Sequence, residues 1–165
     1  MTATHVRDAE PGDYQGLLAL WRELMDLHVR LDGRFELAEQ ANQRFRHYID
    51  VAMTREDYCV RVAEVGGSPV GFSVSCVLPN SPVYKTRWIG YINDLCVASK
   101  VRRQGIGRVL VRDAVDWLKR YGAESVEVYV AHHNRSALAF WKSMGGESYL
   151  HRISLNLNCL LHADD

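Results

Sequence analysis

Apolar residues recur at helical spacing through the first third of the chain. Tyr14, Leu17, Leu18, Trp21, Leu24, Met25 and His28 fall at i, i+3, i+4 and i+7 steps. They predict an amphipathic helix that opens at Pro11-Gly12 and stops at Asp32-Gly33. A second stripe, Ala41, Phe45, Tyr48, Ile49 and Ala52, predicts another helix. The period then changes. Tyr58–Val65 and residues 70–78 are rich in β-formers, and Gly66-Gly67-Ser68-Pro69 between them predicts a hairpin turn. Residues 5–10 and Trp88–Val97 are further strand candidates, with a loop at 79–87. Residues 105–121 read as a long helix with Ile106, Leu110, Ala114, Val115, Leu118 and Tyr121 facing inward, and Gly122 supplies a stop. A strand at 124–131, a short helix at 136–144 and a final strand or strand pair at 147–157 complete the pattern. The order β-α-α-β-β-β-α-β-α-β predicts an α/β domain around one central sheet. With 165 residues and no linker or repeat, a single domain over residues 1–165 is expected.

Composition narrows the class. Hydrophobic residues make up 47% and charged residues 24%, which excludes a disordered, collagen-like or coiled-coil chain. Twenty basic residues balance twenty acidic ones, which argues against a coat for nucleic acid or an anionic membrane. No apolar run approaches the roughly 20 residues of a membrane helix, and the opening MTATHVRDAEPGD lacks a signal-peptide core. A cytoplasmic protein is expected. Cys59, Cys76, Cys96 and Cys159 show no C-x-x-C spacing and read as buried thiols, so no metal is expected. His28 lies on the apolar stripe and reads as a core histidine. Adjacent His132 and His133 would point opposite ways on an extended segment, which argues against a shared metal site.

The neutral total hides a segregation. Residues 99–112 carry five basic side chains and no acid, while residues 1–40 hold eight acids against four arginines. The basic stretch runs from a strand, Asp94-Leu95-Cys96-Val97, through Arg102-Arg103-Gln104-Gly105-Ile106-Gly107-Arg108 into a helix. First-turn N–H groups lack helical partners and lie at the positive end of the helix dipole, so this is an anion cradle. Gly105 and Gly107 let a phosphate approach the backbone, and Arg102, Arg103 and Arg108 add charge. The spacing is neither a Walker A loop nor a dinucleotide fingerprint.

Arg102-x-x-Gly105-x-Gly107, preceded by Val97, resembles the [QR]-x-x-G-x-[GA] signature of the GCN5-related N-acetyltransferase (GNAT) superfamily. Asn134-Arg135-Ser136-Ala137-Leu138-Ala139-Phe140-Trp141-Lys142-Ser143-Met144-Gly145 resembles that family's N-x-x-A-x-x-x-Y-x-x-x-G segment at the same spacing. Residues 7–13 look like its usual first strand and helix start, and residues 66–71 like its β2–β3 turn. The resemblance implies a mixed, mostly antiparallel sheet of six to seven strands flanked by four helices. It also implies an acetyl-CoA-dependent acyltransferase acting on a primary amine in a ternary complex.

Acetyl-CoA would sit where the fourth and fifth strands part. The resemblance gives its pyrophosphate to the backbone of Arg103, Gln104, Gly105, Ile106, Gly107 and Arg108, with Arg102 opening the loop. Its pantetheine would run along Leu95, Cys96 and Val97 and touch Asn134, and Ala137, Phe140 and Trp141 are further cofactor-binding candidates. Asn134 reads equally as a helix N-cap. A backbone N–H near Leu95 would serve the oxyanion. Two departures stand out. Trp141 replaces the tyrosine usually credited as general acid, and an indole N–H donates a hydrogen bond but no proton near neutrality. Asn93 replaces a common strand glutamate, which leaves Asp94 as the nearest carboxylate. Strand alternation points Asp94 to the face opposite Asn93 unless a bulge intervenes. Tyr91, on the Asn93 side, is a candidate for shaping the acceptor pocket, and a histidine of the 132–133 pair for shuttling protons.

The family's first two helices and their connection wall the acceptor site. Asp32 and Glu36 in that connection are candidates for receiving a cationic amine such as a polyamine, an aminoglycoside or an amino-acid-like metabolite. A small-molecule acceptor, no nucleic-acid or membrane partner, and a homodimer through the C-terminal strands are the partner expectations. Two competing readings are a catalytically silent acyl-CoA-binding module and an acetyltransferase of protein N-termini or lysines. A nucleic-acid-binding domain using the arginine loop ranks last, since base-reading and stacking modules are absent.

Overall fold

In the computed structural model, which describes residues 4–157, five strands form one sheet. They are β1 (His5–Asp8), β2 (Tyr58–Val65), β3 (Ser68–Pro79), β4 (Trp88–Val97) and β5 (Ser125–Glu127), in spatial order β1-β2-β3-β4-β5. Neighbours β1 to β4 pair antiparallel, because a hairpin or a long excursion returns the chain alongside itself. β5 pairs parallel with β4 after the crossover through α3 (Ile106–Arg120). The other helices are α1 (Tyr14–Leu31), α2 (Ala41–Thr54) and α4 (Arg135–Ser143).

The sheet has a core on each face. Leu17 and Leu20 of α1, with Phe45 and Ile49 of α2, close on Val60, Val62, Phe72, Val74 and Cys96. Ile106 and Leu110 of α3 close on Ala63 and Val70. Covered from both sides, the central strand β3 is buried at every position from Val70 to Val77. The α3 stripe is completed by Val111 and Trp117, while Tyr121 falls at the helix end and is half exposed. Gly122 ends α3 with φ of 85°, and the N–H of Ala123 reaches back to the Leu118 carbonyl. A side chain there would meet the left-handed penalty, so glycine is the natural stop.

The described residues divide into two compact units, one ending at Asn134 and one starting at Arg135. The second unit consists of α4 and irregular chain. Gly145 closes α4 in the same left-handed way, with Gly146 N–H bonded to the Trp141 carbonyl at 3.0 Å.

Two expectations are corrected. The sheet has five strands among the described residues instead of six or seven, and β5 covers only three residues of the expected 124–131. Residues 147–156, expected to form a final strand or strand pair and alternating apolar and polar side chains from Ile153 on, form no strand. The reason is that strand structure needs a neighbour's backbone as well as a pattern. Cys159 lies outside the described residues. Cys59, Cys76 and Cys96 are buried free thiols, as expected.

Candidate active site

β4 and β5 stay paired only from Ile89–Ser125 to Tyr91–Glu127. From Ile92 onward β4 keeps its β3 neighbour and has no β5 partner among the described residues, which opens a wedge in the sheet. Leu95, Cys96 and Val97 lie along that wedge. The Cys96 side chain does not face it: its thiol donates to the Leu20 carbonyl at 3.1 Å in the α1 core. Burial pushes the Cys96 thiol up to about 12, so it is neither a thiolate nor a nucleophile at neutral pH.

At the end of β4 the chain makes a short 3-10 turn, Ser99–Val101, and then the glycine loop. Glu23 of α1 anchors this turn. Its carboxylate accepts from the Ser99 N–H and from Arg102, both at 2.8 Å, while Arg102 Nε donates to the Val97 carbonyl at 2.9 Å. Arg102 therefore holds the loop in shape, its charge matched by Glu23, instead of standing open as a phosphate ligand. Arg103 (φ of 65°) and Gly105 (φ of 86°) are both left-handed. Such reversals of handedness turn successive N–H groups toward one concave side, a nest for anions. Arg108 and Val109 N–H groups close onto the Gly105 carbonyl, and no backbone bond outside helices and strands takes up the N–H groups of residues 103–107 among the described residues. A Cβ built on Gly105 would meet nothing within 4 Å, so the space above the nest is open. These residues fit a diphosphate.

The catalytic candidates on β4 come together through an irregularity in the register. Val74 opposes Asp94 and Ser75 opposes Ile92, which leaves Asn93 without a partner. This bulge breaks the alternation that would separate Asn93 from Asp94, so both reach Tyr48 of α2. The Tyr48 hydroxyl donates to Asp94 Oδ2 at 3.1 Å, and Asn93 also bonds the Tyr48 side chain. The Asn93 amide contacts Cys76 Sγ at 3.4 Å. Burial raises the Asp94 carboxyl to about 6, partly countered by the Tyr48 hydrogen bond. Tyr48 is pushed upward by burial and by the Asp94 charge, and stays a neutral donor. Tyr91 stacks on Tyr129 with ring centroids 6.0 Å apart, at the point where β4 and β5 begin to part.

Other candidates are placed as follows. Asp32 lies after α1 and is bound by the Arg34 backbone N–H and guanidinium, which bring its carboxyl down to about 2. His133 adds a smaller attraction to the same carboxylate. The Asp32 charge is thus already compensated, whereas Glu36 is exposed. His132 and His133 occupy a turn with rings 5.0 Å apart, and no metal-binding group is found among the described residues. His28 is half-buried against Phe35, and burial lowers its pKa. Asn134 is buried, its N–H on the Ala131 carbonyl. Ala137, Phe140 and Trp141 belong to α4 in the second unit. Tyr48 and Tyr58 had no signal in the sequence as site residues. Tyr48 read as one more apolar-stripe position.

A model of the acetyltransferase (GNAT) family matches residues 19–145. An uncharacterised N-acetyltransferase of Methanocaldococcus jannaschii is 33% identical over 102 residues, 62% of this chain and 45% of that protein. The match therefore spans less than half the length of that relative. A thialysine N-epsilon-acetyltransferase of Bos taurus is 25% identical over 152 residues, 89% of this chain and 86% of that one. Among solved structures, a Bacillus halodurans protein determined as a tetramutant superposes with a TM-score of 0.80 at 25% identity, over 93% of this chain and 99% of that chain.

Proposed function

The chain belongs to the acetyltransferase (GNAT) family, and from that premise we propose that it acetylates a primary amine of a small molecule using acetyl-CoA. The observation that carries this reading is an open anion nest at Arg103–Arg108 that follows the unpaired stretch of β4 carrying a part-buried carboxylate, Asp94. Bound acetyl-CoA supplies an acetyl thioester whose carbon the amine attacks, giving an amide and free thiol.

The residues of the chain divide the remaining work. The nest at Arg103 to Arg108 holds the diphosphate, and the wedge beside Leu95 and Val97 receives the pantetheine. An ammonium has no lone pair, so a base must take its proton. Asp94 does so, directly or through one water. Its pKa of about 6 leaves it ionised at neutral pH yet basic enough to accept a proton, which an ordinary aspartate near 3.9 does less well. Tyr48 and Asn93 hold the carboxylate and water in place. Trp141 stands where the family's motif has tyrosine, and an indole has no acidic proton near neutrality, so the motif supplies no tyrosine acid for the leaving thiolate. The relative named for acetylating thialysine at its ε nitrogen supports a small primary amine as acceptor.

Thiol release on mixing acetyl-CoA with a panel of small amines tests the proposal. Turnover with at least one amine is expected. The replacement of tyrosine by Trp141 favours one second reading, a silent acyl-CoA-binding module. That reading predicts a rise in Tm with CoA and no thiol release.

A further inference from the structure

The polar cluster around Asp94 is bordered by a groove that the catalytic reading does not use. It is an open groove of about 280 Å³ along α2, lined by Arg44, His47, Tyr48 and Val51, by Arg55 just after the helix and by Tyr58 of β2. Pockets for drug-sized ligands span roughly 300–1,000 Å³, so this one suits a smaller metabolite. Tyr48 is a wall of the groove and also the donor to Asp94, and Tyr58 bonds Cys76, whose sulfur meets Asn93. A molecule lying in the groove therefore touches Tyr48, which is one hydrogen bond from the Asp94 carboxylate.

The charged lining of the groove is entirely basic. Asp57 neutralises Arg55, which also lies over the Tyr58 ring at 5.1 Å. Asp50, one helical turn before Thr54, pairs with Arg46, which is not part of the lining. Arg44 has no ion pair among the described residues, and His47 adds a second donor. An exposed arginine facing a concave surface offers a planar fork that matches an oxyanion bidentately. A polycationic acceptor would meet repulsion here.

Resting on the acetyltransferase reading, we propose that the acceptor is an amine carrying an anionic oxygen group, carboxylate or phosphate, a few bonds from its reacting nitrogen. The amine lies toward Asp94, and Arg44, assisted by His47, binds the anion. Arg44 is a specificity-determining residue, and the acidic α1–α2 connection is not the charge that selects the acceptor.

The test uses the full chain with acetyl-CoA and matched amine pairs: lysine against cadaverine, ornithine against putrescine, and phosphoethanolamine against ethanolamine. A charge-assisted hydrogen bond worth about 1.5–3 kcal/mol predicts a preference of about tenfold or more in kcat/KM for the anion-bearing member, carried by KM. The first two pairs against the third distinguish carboxylate from phosphate. Arg44→Ala should cut the preference ratio about tenfold, and Arg44→Glu should invert it. Equal or better turnover of the anion-free members overturns the proposal, as does an Arg44→Glu variant that slows both members of each pair by one factor. Absence of thiol release with every amine refutes the acetyltransferase reading itself, and the proposal falls with it.

Discussion

The anion nest lies just beyond the end of the strand that carries the Asp94 cluster, yet the two are built on different principles. The nest is local. Residues 95–108 contain its backbone, its two left-handed residues and its arginines, and one side chain from elsewhere, Glu23, pins it. The cluster is assembled from a distance, with Tyr48 from α2, Tyr58 from β2, Cys76 from β3, and Asn93 and Asp94 from β4. A site made of backbone N–H groups tolerates side-chain change as long as φ and ψ are kept. One made of side chains across elements stands or falls with each of them. Binding of an anionic cosubstrate should therefore be robust, and proton transfer and acceptor choice fragile.

The largest expected effect breaks the cluster alone. Asp94→Asn should lower kcat/KM by about 10² to 10⁴, the usual worth of a positioned base, while the rise in Tm on adding CoA persists. If rate and CoA response fall together, the two regions are not separable. Wild-type rate should drop about tenfold per pH unit as pH falls below about 6, where Asp94 gains its proton and can no longer accept one. That acid limb should vanish in Asp94→Asn.

The converse break is at Gly105. Valine at a φ of 86° carries a left-handed penalty of roughly 1–2 kcal/mol, and more for a branched side chain. Gly105→Val should raise the KM for acetyl-CoA about tenfold or more while leaving the position of the acid limb near pH 6.

A third measurement concerns stability. The Asp94 pKa is raised in the folded chain, so its stabilising contribution is complete below about 4 and is lost as pH rises through about 6. Above that, the ionised, part-buried carboxylate opposes folding by up to about 2–3 kcal/mol, the full worth of a rise to about 6. Asp94→Asn should accordingly be more stable than wild type at pH 8 and lose that advantage near pH 4, as read from denaturant midpoints. No gain at pH 8 would place the carboxylate in solvent.

The smallest effects come from the supporting residues. Tyr48→Phe removes the donor that holds the Asp94 pKa down, so the acid limb should move upward by less than about one unit, with a rate loss of a few-fold. Glu23→Gln keeps shape but weakens the charged contacts to Ser99 N–H and Arg102. It should raise the KM for acetyl-CoA a few-fold and leave the limb in place, consistent with about 1 kcal/mol for an exposed charged bond.

Legibility in the sequence follows the same division. The helical stripes of α1 and α2, the hairpin at Gly66-Gly67 and the glycine stop at Gly122 were readable because each rests on contacts a few residues apart. The Arg102-x-x-Gly105-x-Gly107 loop was readable for the same reason, although the engagement of Arg102 with Glu23 was not. Glu23 is 79 residues away, and no local pattern names it. Residues 147–157 show the opposite failure, a strand pattern without a strand among the described residues, since a ladder needs a second backbone.

The sequence by itself determined the element order from β1 to α4, the glycine loop of the anion nest and the family resemblance, all properties of short contiguous segments. Only the tertiary structure decided which side chains meet Asp94. Strand alternation had placed Asp94 on the wrong face, and a one-residue slip between Val74 and Ser75 returned it beside Asn93 under Tyr48. The basic groove on α2 emerged in the same way, because whether Arg44 faces an acid or open space depends on residues folded against it from elsewhere in the chain.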